Sequence, residues 1–146
     1  MFENIAVVIP ALDNNQYYSD GDLVRFGDTT LLEWKISQIL GVTGKENIYV
    51  STPSDKIIDL VQSYGVNVVK RSEGSGPSQW IKESVNPIES EFVLWTHATS
   101  PFISSGDYQK MLETFFNLPK NHDSLIAVYK EQEYIFYQSE PLNFDI

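Results

Sequence analysis

Residues 11–26 run Ala-Leu-Asp-Asn-Asn-Gln-Tyr-Tyr-Ser-Asp-Gly-Asp-Leu-Val-Arg-Phe and directly follow a wholly apolar stretch, Ile5–Pro10. Open parallel sheets bind ligands at the carboxyl ends of their strands, so the chemistry of this segment bears on what can sit there. It holds three acids (Asp13, Asp20, Asp22), one base (Arg25) and one glycine (Gly21). A loop that cradles phosphate needs clustered backbone N–H groups and positive charge, and this one offers little of either. Asp20 and Asp22, one residue apart, form a carboxylate pair of the kind that converges on magnesium or calcium. The segment starting at Asp13 fails the calcium-loop pattern at its fifth and sixth positions, and a solvated loop tip is the favoured reading of the pair.

A second polar cluster, Thr-His-Ala-Thr-Ser-Pro-Phe at 96–102, follows the apolar run Phe92–Trp95. Its hydroxyls suit a sugar or a base edge, with Pro101 fixing the turn; alternatively Thr99 and Ser100 satisfy their own backbone. His97 is the histidine near this cluster, a general base or polar contact on one reading and a structural residue on the other. His122 lies far along in a polar turn. Arg71, after a third apolar run and before a Gly/Ser segment, is the best candidate for an anion clamp, because guanidinium is permanently charged and forks onto carboxylate or phosphate; its bland reading is a surface ion pair. Trp34, Trp80 and Trp95 read more simply as core than as a base-stacking platform.

The elements that must position these groups alternate from end to end. Strand-length apolar runs at Ile5–Pro10, Ile48–Thr52, 66–69 and Phe92–Trp95 are separated by helix-period segments, the pattern of βαβ units on a mainly parallel sheet. Ile5–Pro10, apolar throughout, is expected at its centre. One helix should start after Thr29 or Thr30 and bury Leu32, Ile36, Ile39 and Leu40. A second is capped by Ser54 or Asp55, carries Ile57, Leu60, Val61 and Tyr64 at helical spacing, and ends at Gly65. Helices are also expected over 78–85 and from Ser104 or Ser105 to about Asn117, then late strands over 125–129 and 134–137 joined as a hairpin through 130–133. Three connections, 11–28, 70–77 and 96–104, share one side of this sheet. A pocket between them would be lined by Asn15, Gln16, Arg71, Ser75, Ser78, His97, Thr99 and Ser100, a set suited to a polar, hydroxyl-rich ligand.

At 146 residues the length fits one domain spanning 1–146. A formal net charge of -10 with no Lys/Arg cluster argues against nucleic acid. The absence of cysteine rules out disulfides and Cys-ligated metal. No apolar run is long enough to cross a membrane, and the start has no basic leader, so a cytoplasmic location is expected.

Taken in order, Ile-Ala-Val-Val-Ile-Pro-Ala at 5–11, Thr-Leu-Leu-Glu-Trp at 30–34, Ile48–Thr52, Tyr-Gly-Val-Asn-Val-Val-Lys-Arg at 64–71, Phe92–Trp95 with Thr-Ser-Pro-Phe at 99–102, and Pro-Leu-Asn-Phe at 141–144 resemble the acylneuraminate (sialic acid) cytidylyltransferases. The resemblance implies an α/β, Rossmann-like nucleotide-diphospho-sugar transferase fold with a mainly parallel sheet flanked by helices. It implies a reaction in which a sugar-acid hydroxyl attacks the α-phosphate of CTP, giving a CMP-sugar and pyrophosphate with Mg2+ assisting, and a homodimer. Carried over by position, it implies nucleotide contacts at Ala11, Leu12, Asn15, Asp22, Arg71 and Ser78, and sugar contacts at His97, Thr99 and Ser100, His97 standing where many members have glutamine.

The first loop departs from that family. Leu12 takes an arginine position, Gln16 a lysine position, and Gly21-Asp22 a Lys-Asn position. Phosphoryl transfer depends on positioning and charge stabilisation, and each lost contact costs on the order of 3 kcal/mol, so turnover is expected to fail unless other cations substitute. The family also continues past the point where this chain stops, so the chain is expected to be the N-terminal portion of a longer protein or a shortened relative. A non-catalytic sugar- or nucleotide-binding module on the same fold is the alternative reading, and a glycosyltransferase-like domain using Asp20 and Asp22 on a metal is a third.

Overall fold

The computed structural model describes residues 4–74, 76–128, 136–138 and 140–141. The apolar run Ile5–Pro10 forms β1, buried along its whole length. A two-residue hairpin pairs β2 (Arg25–Phe26) with β3 (Thr29–Thr30) and leads into helix α1 (Leu31–Leu40). Thr30 caps α1 through its side chain, and Glu33 reaches back to the Thr30 amide, so two end donors are satisfied together. Strand β4 (Ile48–Thr52) is followed by α2 (Asp55–Ser63), whose first turn is capped by Ser54. Past the end of α2, Gly65 takes the left-handed φ of 66° that a helix stop needs.

Strand β5 (Asn67–Lys70), helix α3 (Pro77–Val85), strand β6 (Phe92–Trp95) and helix α4 (Ser105–Phe116) complete the alternation. A short pair, β7 (Phe136–Tyr137) and β8 (Glu140–Pro141), lies apart from the main sheet. That sheet has the order β5-β4-β1-β6, every pairing parallel. The chain steps outward from β1 in one direction through β4 to β5, then returns to place β6 on the other side. The order therefore reverses at β1, the switch point at which open α/β sheets leave a crevice.

One face of β1 (Ile5, Val7, Ile9) packs against Leu32, Ile36 and Ile39 of α1, Ile57 and Val61 of α2, and Tyr108 and Leu112 of α4 in a single core cluster. Each such aliphatic side chain stabilises the fold by roughly 1.5–3 kcal/mol on full burial. The opposite face meets α3, where the Ser51 and Ser84 hydroxyls bond at 2.6 Å within the interior. The fold is thus α/β, a parallel sheet with helices on both faces, and β1 is central as its composition requires. No helix among the described residues is long and apolar enough to cross a membrane.

Some expectations are corrected. Residues 125–128 form no strand; Ile126 is 81% exposed. Apolar, β-branched composition makes a strand only where a neighbouring edge supplies hydrogen bonds, and the described residues provide none. The expected strand over 134–137 is described only at Phe136–Tyr137, whose partner is Glu140–Pro141. The proposed link at 130–133 and the Leu-Asn-Phe at 142–144 fall outside the described residues. The tryptophans are not core: Trp34 is exposed on one side of α1, and Trp80 and Trp95 are only half-buried.

Candidate functional site

The carboxyl ends of all four main strands open into a cavity of about 860 Å3, lined by residues 10–15 and 53–56, Asp22, Arg71, Glu73, Gly74, Trp80 and 97–99. That volume lies within the range of small-molecule sites. Ala11, Leu12, Asn15, Asp22, Arg71, His97 and Thr99, read from the sequence as candidate contacts, all border it. Ser78 is exposed on the first turn of α3, and the Ser100 carbonyl accepts from Lys35 of α1; neither residue borders the cavity, nor does Gln16. Ser75 lies outside the described residues.

The loop over 11–22 is bonded to itself. The Leu12 amide donates to Asp22 Oδ2 at 2.9 Å, and the Asp22 amide donates back to the Leu12 carbonyl at 2.7 Å. Asn15 Oδ1 accepts from the amides of Tyr17 and Tyr18, and the amides of Asn15 and Gly21 donate to the Tyr18 carbonyl. Gly21 makes the closure possible. Its φ is 51°, and a Cβ there would lie 2.3 Å from the Leu12 carbonyl oxygen. Asp22 is consequently only 9% exposed, a buried clasp where a solvated loop tip was an open reading.

Burial raises the Asp22 pKa, an effect opposed by the Leu12 amide and by His97. Asp22 thus acts on His97 through its charge, without a direct ion pair between them. Burial lowers the His97 pKa, with Asp22 opposing. The Trp95 indole N–H donates to His97 Nε2 at 3.0 Å. An indole nitrogen only donates, so Nε2 is an acceptor and the ring proton of the neutral imidazole sits on Nδ1. With Nε2 engaged, His97 is suited to donate to a ligand oxygen and poorly placed to take a proton through Nε2.

The Arg71 guanidinium, also on the cavity lining, lies 5.1 Å from the centroid of the Trp80 ring. Trp80 packs on Trp95 with centroids 5.5 Å apart, and Trp95 meets His97 edge-on at 6.1 Å. An aromatic ladder therefore ties the candidate clamp to the histidine. Arg71 Nε is buried with no hydrogen-bond partner among the described residues. Burial lowers the Arg71 pKa and Glu83 counteracts it. Stacking on an aromatic face is the arrangement in which guanidinium holds a planar fork toward an anion.

Several lining residues were not among those expected in the pocket: Asp13, Ser54, Asp55, Lys56, Glu73 and Trp80. Ser54 Oγ donates to Asp13 Oδ2 at 2.7 Å while accepting from the Ile57 amide, so the first loop is pinned to the N-terminus of α2. The signal for 53–56 was available, since β4 also ends on this side of the sheet. Asp20 and Asp22 do not converge: Asp20 is exposed, and Asp22 is turned to the Leu12 amide. Among the described residues no three His, Asp or Glu groups are placed to hold a metal ion, so a divalent cation would rest on one or two carboxylates together with the phosphates of a bound nucleotide.

The profile of the family described as Cytidylyltransferase matches residues 21–143. This chain belongs to the cytidylyltransferase family. The match begins at Gly21, beyond most of the loop whose cations are replaced. Comparison with curated protein sequences finds no match.

Solved structures similar to this cytidylyltransferase-family chain include a CMP:2-keto-3-deoxy-manno-octonic acid synthetase complexed with CTP, at TM-score 0.70 and 18% identity over 81% of this chain and 49% of that one. A cytidylyltransferase from Leptospira borgpetersenii gives 0.67 and 20%, over 77% and 49%. The bifunctional IspDF from Campylobacter jejuni gives 0.75 and 14%, over 97% and 37%. At these identities the likeness is one of fold. The chain spans about half the length of the first two structures.

Proposed function

We propose that this chain is the nucleotide-binding portion of a sugar-activating cytidylyltransferase, its pocket holding a cytidine nucleotide near Arg71 and the first loop, and a sugar acid of the sialic-acid kind near His97 and Thr99. In the reaction that family membership suggests, a sugar hydroxyl oxygen bonds to the α-phosphorus of CTP, the bond to the bridging oxygen breaks, and pyrophosphate leaves. The observation that carries the reading is that the stacked Arg71 guanidinium and the His97–Thr99 turn line one cavity at the carboxyl ends of the strands. Arg71 offers charge and a fork to one phosphate. His97 offers an N–H to a hydroxyl or carboxylate.

A second reading, a binding module that does not turn over, is favoured by the loop: no lysine or arginine from 11–22 faces the cavity, because the segment contains none. Thermal unfolding with CTP, CMP and a CMP-sugar beside ATP and GTP tests the cytidine assignment. A ligand at a hundred times its Kd stabilises by about 2.7 kcal/mol, several degrees for a domain of this size. A cytidine-selective rise supports the assignment, and pyrophosphate release with sugar acids then separates enzyme from module. No shift with any cytidine nucleotide overturns it.

A further inference from the structure

The end of the sheet that could attract an anion is already supplied with anions by the chain itself. The Leu12 amide, at the mouth of β1, is taken by the Asp22 carboxylate. The N-terminus of α2, a partial positive charge, has Asp55 in its first turn and Asp13 held against its cap by Ser54. The amides of Tyr17 and Tyr18 are taken by Asn15. Around the cavity stand the carboxylates of Asp13, Asp22, Asp55 and Glu73, against the cations Lys56 and Arg71.

We infer that Asp22 is a specificity-determining residue: its buried carboxylate fills the backbone donor that a polyphosphate would use, so the pocket takes a cytidine ligand with a single phosphate, a nucleoside monophosphate or its sugar ester, in preference to the triphosphate. This rests on the cytidine reading above. The geometry matches one phosphate to one fork. Arg71 can pair with a single phosphate, whereas additional phosphates would meet Asp13 and Asp22 with little compensating charge. Like charges at close range in a partly desolvated cavity repel strongly.

The test is calorimetric titration of the wild-type chain with cytidine, CMP, CDP and CTP, in EDTA and again in excess magnesium, repeated with Asp22→Asn. Asparagine can still accept from the Leu12 amide through its Oδ1, so the loop closure is kept and only the charge goes. Wild type is expected to bind CMP at least about fivefold more tightly than CTP, and D22N to gain about fivefold or more for CTP with cytidine unchanged. A loop clasp with no electrostatic role would instead move cytidine and CTP together, which overturns the inference. CTP binding tightest to wild type in either buffer also overturns it while leaving the cytidine reading intact. No binding by any of the four ligands overturns the cytidine reading, and this inference with it.

Discussion

The ammonium of Lys35 lies 2.8 Å from the carbonyl oxygen of Ser100, and the same nitrogen lies 2.7 Å from the Tyr108 hydroxyl. Lys35 is fully buried. Its neighbours on α1 reach the same turn: Trp34 Nε1 and Gln38 Nε2 both donate to the Pro101 carbonyl at 2.8 Å. Three side chains of one helix therefore hold the backbone of the turn that presents His97 and Thr99 to the cavity. The Tyr108 hydroxyl continues the network to Thr96 Oγ1 at the end of β6.

Burial lowers the Lys35 pKa from 10.5 to about 8. Since the folded value lies below the unfolded one, the unfolded chain binds more protons between those two pH values, and stability rises with pH across that window. Below about pH 8 both states are protonated and the full penalty of the buried charge is present. Urea unfolding of wild type and Lys35→Met should show wild type gaining stability relative to the variant from about pH 8 to 10. A constant difference across that range would mean that Lys35 titrates normally.

Replacing Arg71 by alanine should weaken any phosphate-bearing ligand by tenfold or more, because a charge-assisted hydrogen bond is worth about 1.5–3 kcal/mol. Cytidine itself should bind as before. Trp80→Ala, which removes the face that supports the guanidinium, should have a smaller effect of the same kind, about 0.5–2 kcal/mol. Calorimetric titration with CMP and cytidine separates the two, and an unchanged CMP affinity in Arg71→Ala would eliminate the clamp.

The strands were legible because their signals are local. Ile5–Pro10 is apolar at every position, and the caps at Thr30, Ser54 and Ser104 stand just before periodic segments. The Leu12–Asp22 clasp was not, because it joins a side chain to an amide ten residues away around a glycine whose φ no periodicity reports. Lys35 was missed for a related reason. The helical stripe named Leu40, which is half-exposed, whereas α4 packs over α1 and covers Lys35 instead. Residues 125–128 misled in the opposite direction, since strand composition without a pairing edge specifies nothing. Chemistry was harder to read than fold because the cavity is assembled from four strand ends, and only three were considered.

Gly21→Ala should open the loop. The new Cβ would sit 2.3 Å from the Leu12 carbonyl and 2.6 Å from the Asn14 amide nitrogen, at a φ of 51°. The left-handed conformation alone costs a residue with a Cβ about 1–2 kcal/mol, and the clash with backbone adds to it. The melting temperature should fall by several degrees, and hydrogen exchange at the Leu12 and Asp22 amides should accelerate while that of the β1 amides stays slow. Uniform acceleration throughout β1 would instead make the loop integral to the core.

Tyr108 and Lys35 should be strongly coupled. Tyr108→Phe removes the hydroxyl that bridges Lys35 and Thr96, leaving a buried ammonium with one partner fewer at a cost of about 1–3 kcal/mol. Lys35→Met alone leaves the Ser100 carbonyl with the Ile103 amide, at 3.4 Å, as its remaining donor, and Tyr108 can still bond to Thr96. With both changed, the apolar side chains can pack together and no ammonium remains to be satisfied. Removing both partners of a buried polar contact is commonly less damaging than removing one. The double variant should therefore lose less stability than the sum of the singles, with an interaction energy of about 0.5–3 kcal/mol in a double-mutant cycle. Strict additivity would show that the two groups act independently and that the 2.7 Å contact carries no net energy.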